Sequence, residues 1–116
     1  MNRKLYAFLS VVILVAIALS GCSGKSGKIR IATDATWPPF EMVDEQTKEI
    51  VGLDIDLMKA IAEKQGLDIE FVNVNFDSLL AGMAQCQYDA AISAISITDE
   101  RKENMLFSDP YFTAGQ

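Results

Sequence analysis

Asp89-Ala-Ala-Ile-Ser-Ala-Ile-Ser-Ile-Thr-Asp-Glu-Arg-Lys-Glu103 reads as a strand running through a hydroxyl-rich loop into a helix. Asp89–Ile92 enters as a short apolar run with no charge after its first residue, the signature of a buried strand. Ser93–Ile97 then offers two hydroxyls, Ser93 and Ser96. Thr98 is placed to cap a helix, and Asp99 and Glu100 fall in its first turn, where acids suit the helix dipole. The amides of residues 99–101 would then point outward beside the guanidinium of Arg101. Hydroxyls, free amides and an arginine in one place form a receptor for a small anion, a carboxylate foremost. The same residues also suit a plain capped helix with a solvated arginine, and the stretch alone leaves both readings open.

Toward the N-terminus, Lys28–Thr33 alternates as a first strand, with Asp34 at its carboxyl end. Ala35-Thr-Trp-Pro-Pro-Phe40 follows, and its two prolines predict an extended loop outside helix and strand. Phe40 is expected to plug the domain's own core and Trp37 to stay exposed. Glu41–Val51 suggests a small hairpin-like excursion with no evident chemistry. Asp54 is expected to cap a helix over 55–65 that buries Leu57, Met58, Ile61 and Ala62, and Gly66 to end it in the left-handed conformation. Asp54 and Asp56 read as structural acids. Leu67–Val74 alternates as a second strand, with Phe76 in the loop beyond it. Asp77 or Ser78 is expected to cap a helix over 79–85 that buries Leu79, Leu80, Met83 and Ala84. A left-handed residue is expected at Cys86-Gln87, where a non-glycine costs about 1 kcal/mol. A third helix over 99–104 gives way near Met105–Phe107, and Ser108–Thr113 resumes an extended course.

This alternation of strands and helices predicts an α/β domain with a mostly parallel sheet and flanking helices. Ligands of such sheets bind at the carboxyl ends of the strands. Asp34 and Trp37 follow the first strand, Phe76 the second, and Ser93, Ser96, Thr98 and Arg101 the third. Together they describe an acid, two aromatic walls and an anion pocket, a receptor for a small zwitterion.

The N-terminus carries a positive Arg3-Lys4 pair and an apolar run from Leu5 to Ser20, too short for a bilayer span of about 20 residues. Leu19-Ser-Gly-Cys22 resembles a bacterial lipobox, which implies a signal peptide over 1–21 and acylation of Cys22. Acyl chains there would hold the protein at the extracytoplasmic face of the cell membrane, with 22–27 as a flexible tether. Cys86 is then the other cysteine, leaving no intrachain disulfide. Without Arg3 and Lys4 the remainder holds eight basic and sixteen acidic residues, a formal −8, which argues against nucleic acid as a partner. The chain has no histidine, which excludes histidine-dependent nucleophilic triads and histidine-ligated zinc. No metal or other cofactor is expected.

Asp34-Ala-Thr-Trp-Pro-Pro-Phe-Glu41, Val51-Gly-Leu-Asp-Ile-Asp-Leu57 and Ser93-Ala-Ile-Ser-Ile-Thr-Asp-Glu-Arg101 resemble, in order and spacing, the polar amino-acid substrate-binding proteins of ABC importers. The resemblance covers 28–116 and implies a periplasmic-binding-protein type II lobe. It implies that Arg101 clamps a ligand α-carboxylate with Ser96 and Thr98, and that Ser93 lies beside the α-ammonium group. Trp37 and Phe76 would sandwich the side chain and Asp34 meet its polar end. It further implies a non-enzymatic protein that delivers a polar amino acid to a membrane permease. Two alternatives share the scaffold: a sensor domain of a signalling receptor, and an enzyme such as a dehydratase or lytic transglycosylase.

Family members run to about twice this length, with a second lobe beyond a hinge. The sequence stops near the expected hinge, so that lobe is missing and a truncated or fragmentary product is the expectation. An arginine–carboxylate contact gives about 1.5–3 kcal/mol when desolvated and about 0–1 when exposed. Millimolar binding already needs about −4.1 kcal/mol. One lobe alone is therefore expected to bind poorly.

Overall fold

A computed structural model describes residues 27–113 of the chain. Residues 1–21, expected to be a signal peptide, Cys22, and all of the expected tether except Gly27 lie outside the described residues. Among those described, no helix is long and apolar enough to cross a membrane.

Strand β1 (Ile29–Thr33) is central to a parallel sheet. The strand here named β5 (Ile69–Asn73) pairs with it on one side and β6 (Ala90–Ala91) on the other. Ile31 faces Phe71 and Ala90 in register, and Ile31, Ala32 and Thr33 are fully buried. A strand flanked on both sides has no solvated edge, so its apolar run is continuous at this point. Parallel neighbours require crossovers, supplied by α1 (Leu53–Gln65) and α2 (Phe76–Ala84). A short α3 (Asp99–Lys102) follows β6. The mostly parallel α/β layer predicted from the alternation is the observed one.

The excursion is a second, antiparallel sheet of β2 (Thr36–Trp37), β3 (Glu41–Val43) and β4 (Ile50–Val51). Trp37 pairs with Glu41, so the prolines do not keep the loop out of a sheet; they form the turn between two paired residues. Phe40 is half-buried, its ring edge-on to Phe112 at 5.0 Å. Asp44 closes the β3–β4 turn by accepting from the amides of Gln46 (2.9 Å) and Thr47 (2.7 Å) and from the Thr47 hydroxyl (3.0 Å). Those bonds, the Thr47 amide's first, hold its carboxyl below the usual range.

Helix starts differ from expectation for a common reason. The first amides of α1, on Leu53 and Asp54, donate to the carbonyls of Pro39 (3.1 Å) and Phe40 (3.0 Å). Backbone therefore does the capping, Gly52 occupies the N-cap position, and the Asp54 side chain is released inward to full burial. Helix α2 begins at Phe76 because Asn75 caps it, accepting from the Ser78 amide at 2.9 Å; neither Asp77 nor Ser78 is the cap. Phe76 thus stands on the first turn of a helix and not in a loop. Helix α3 is shorter than predicted, and its cap is Thr98 as expected.

Ile55, not Ile61, is the most buried apolar residue of α1, and Ala84 of α2 is exposed while Leu79 is fully buried. Gly66 ends α1 at φ 65° and Cys86 follows α2 at φ 55°, both left-handed.

A β-carbon at Gly52, at φ 132°, would collide with the carbonyl of Phe40. Gly52→Ala is expected to lower unfolding free energy by about 1–3 kcal/mol in denaturant titrations, through backbone strain and a displaced β2–β3 turn. Cys86→Gly is expected to raise it by about 1 kcal/mol, because glycine adopts φ 55° without a steric penalty.

Candidate functional site

Three strand ends converge on Asp34. Beyond β1, its amide donates to the Ser93 hydroxyl at 2.9 Å, linking it to the loop after β6. Its carboxylate accepts from the Phe76 amide through Oδ2 (2.9 Å) and from the Thr36 hydroxyl through Oδ1 (2.8 Å). The next amide, of Ala35, donates to the Asn73 side chain at 3.0 Å. The parallel ladder thus continues past its last backbone bonds as side-chain bonds, and the loops after β1, β5 and β6 are fixed to one another.

Phe76, fixed through its own amide, lies under Arg101, whose guanidinium carbon is 5.3 Å from the ring centroid. Such a contact contributes about 0.5–1 kcal/mol where partly solvated. Arg101 also donates from Nη1 to the Ser96 carbonyl at 2.9 Å, and its amide donates to the Thr98 hydroxyl at 3.3 Å. That amide is accordingly not free for a ligand. Among the described residues no carboxylate lies within salt-bridge distance of the guanidinium. Arg101 is therefore a half-buried cation, oriented by a carbonyl and a ring, with donors of its planar fork still unspent. A groove beside it runs between α2 and α3, lined by Leu80, Ala84, Glu100, Asn104 and Met105 as well as Arg101.

Trp37 is 65% exposed and joins the group indirectly, as the ladder partner of Glu41. Ser93 is 4% exposed, and its hydroxyl accepts from the Asp34 amide and donates to Glu41 Oε1 at 2.9 Å. Its side chain is spent on bonds inside the lobe. Asp34 is likewise committed internally, although each carboxylate oxygen keeps a second lone pair.

Beneath these residues lies a network the sequence reading missed. Glu41 is 1% exposed and Asp54 fully buried. Asp54 Oδ2 accepts from the Ala94 amide (2.7 Å) and from the Tyr111 hydroxyl (2.9 Å). Burial is the main cause that pushes the Glu41 carboxyl up to about 8; the charges of Asp54 and Asp34 add to it and the Ser93 bond opposes it. Burial and the Asp54 bond also push the Tyr111 phenol up. Strand alternation gave no warning, because it would have turned Met42 inward, whereas Met42 is exposed and Glu41 buried. The available signal was an acid standing alone between Phe40 and Met42.

The profile of the bacterial extracellular solute-binding proteins, family 3, matches residues 29–116. The chain belongs to that family. Among curated solute-binding proteins, the arginine-binding periplasmic protein of Mannheimia haemolytica is 44% identical over 82 residues, 71% of this chain and 34% of that one. An ancestral cationic amino-acid solute-binding protein, AncCDT-1, superposes with a TM-score of 0.72 at 41% identity, over 78% of this chain and 39% of its own. The arginine-bound form of domain 1 from TmArgBP superposes with a TM-score of 0.69 at 43% identity, over 74% of this chain and 68% of that domain. The chain thus spans less than half the length of the curated relatives it matches, and its described part is one type II solute-binding lobe.

If Ser93 ties the edge together, Ser93→Ala strips bonds from the Asp34 amide and Glu41 in a buried setting. It is expected to cost about 1–3 kcal/mol in denaturant unfolding. Ser96→Ala, at an exposed side chain, is expected to stay within about 0.5 kcal/mol.

Proposed function

We propose that this chain is the ligand-capturing first lobe of an importer's amino-acid-binding protein and that it takes a cationic or other polar amino acid. Arg101 receives the α-carboxylate, with Ser96 and Thr98 shaping the loop around it. Phe76 and Trp37 flank the side chain, and the spare lone pairs of Asp34 meet its polar end. The observation that carries this reading is the state of Arg101: aimed by the Ser96 carbonyl and the Phe76 ring, yet without a carboxylate partner among the described residues. A desolvating cation with an unfilled fork recognises a planar carboxylate bidentately.

The relatives support the substrate class, being arginine-binding and cationic amino-acid-binding proteins. TmArgBP bears on the expectation of weak binding, since its domain 1 is arginine-bound as a single domain. Adding contact energies one at a time undercounts a site whose groups are already held in place, because preorganisation removes ordering costs that binding would otherwise incur. One lobe of this protein is accordingly proposed to hold arginine by itself.

The remaining parts of the proposal concern the whole protein. Residues 1–21 serve as a signal peptide, Cys22 carries the lipid, and 22–27 tether the lobe at the outer face of the cell membrane. There it delivers its ligand to an ABC permease, without catalysis.

Trp37 is the chain's one tryptophan, so its fluorescence reports on the edge directly. Titration with L-arginine is expected to give a saturable change in native protein. Arg101→Lys keeps the charge but loses the fork, and is expected to weaken the affinity about tenfold or more, equivalent to about 1.4 kcal/mol. An unchanged affinity would assign Arg101 to the solvated surface and remove the reading.

A further inference from the structure

We propose that Glu41 works as a neutral carboxylic acid beneath the binding edge, sharing one proton with Asp54, and is thereby the positioning residue that holds the Ser93–Ala94 turn in its ligand-ready form. The inference rests on the amino-acid-binding reading of the edge and adds to it a residue that does not itself touch the ligand.

Among the described residues, Glu41 Oε2, Asp54 Oδ1 and Thr33 Oγ1 are fully buried without a hydrogen-bond partner. Two are carboxylate oxygens of side chains that hold consecutive residues, Glu41 on Ser93 and Asp54 on Ala94, which makes the two carboxyls neighbours. Two ionised carboxylates have no donor to offer each other, and like charges this close cannot both persist in a buried site. One proton between them satisfies both oxygens.

Its location follows from the other bonds. Asp54 Oδ2 collects two donors, the Ala94 amide and the Tyr111 hydroxyl, an arrangement that fits the ionised member of the pair. Glu41 receives a single hydroxyl, from Ser93, and so fits the neutral member. Among the described residues, the charged or titratable groups facing Glu41 are Asp54 from α1, Asp34 from the loop after β1, and Tyr111 from the 108–113 segment, with no cation among them. The Glu41 carboxyl is correspondingly raised to about 8, with burial the leading cause.

Consequences reach the ligand loop through two bonds. Ser93 is held from below by Glu41 and in turn holds the Asp34 amide. Ala94, at the left-handed φ of 45°, is held by Asp54. That conformation is unfavourable for alanine and persists because the Asp54 bond enforces it. Removing the shared proton leaves two like charges facing each other with no donor between them; although the Ser93 bond itself favours the charged form, the repulsion drives apart the Glu41 and Asp54 side chains that hold Ser93 and Ala94. The sign is definite: the folded protein prefers the proton-bound state, so the support is complete at low pH and is lost as pH rises through the Glu41 value.

The test compares arginine affinity of the native chain and Glu41→Gln at about pH 6.5 and about pH 9, taking the ratio of the two proteins at each pH so that titration of arginine's own amino group cancels. Glutamine retains a donor for Asp54 and an acceptor for Ser93 but does not titrate. The native affinity is expected to fall relative to the variant by about fivefold or more across this interval. A constant ratio overturns the proposal, whereas absence of arginine binding at every pH overturns the functional reading instead. A second measurement needs neither binding nor a variant: carbon-13 titration of the glutamate carboxyls in the native chain. One glutamate carboxyl is expected to titrate near 8, well above the ordinary carboxylate range. A full set of midpoints in the lower range overturns the shared proton directly.

Discussion

The Ser93 hydroxyl makes one edge out of separate strand ends. It receives the amide of Asp34 and gives its own proton to Glu41, so one buried oxygen fastens the loops after β1 and β6 and anchors both to the antiparallel excursion. Asp34 extends the same linkage to β5 through the Phe76 amide. Because buried polar groups must be partnered, the edge forms as a connected whole. Backbone pairing alone would leave these loops free, since the ladder between β1 and β6 ends within two strand residues.

Seen this way, the polar groups at the edge fall into two tiers. Asp34, Ser93, Glu41 and Asp54 spend their hydrogen bonds on one another and on loop amides. Arg101 and the exposed Trp37 ring lie outside that set, Arg101 with guanidinium donors unspent, and on the proposed reading these are the groups left for a ligand. A site so divided is rigid below and available above, an arrangement that favours binding of a preformed kind. The 108–113 segment adds a further tie through Tyr111 on Asp54 and Phe112 on Phe40, so the chain leaving the lobe meets the same buried acid that holds Ala94.

Much of this was legible from residue order. Thr98 as a cap, Gly66 and the left-handed turn at Cys86 all follow from local chemistry, and local chemistry prevailed there. The parallel strands were legible because alternation and short apolar runs respond mainly to burial. What escaped notice depends on partners distant in sequence. Asp54 resembles an N-cap until the Pro39 and Phe40 carbonyls, brought in by the β2–β3 turn, take over its task. Ser93 resembles a ligand hydroxyl until Glu41, more than fifty residues earlier, claims it. The family resemblance named residues of this edge, but the bonds that join them became visible only in the structure.

The most direct test of a shared binding edge is amide-resolved NMR of the isotope-labelled chain during titration with L-arginine. The account predicts that the largest shifts fall on Phe76, on Ser93 to Arg101 and on the Trp37 indole, with little movement along Lys59–Gln65 of α1. Shifts concentrated elsewhere, or spread evenly over the lobe, would contradict it.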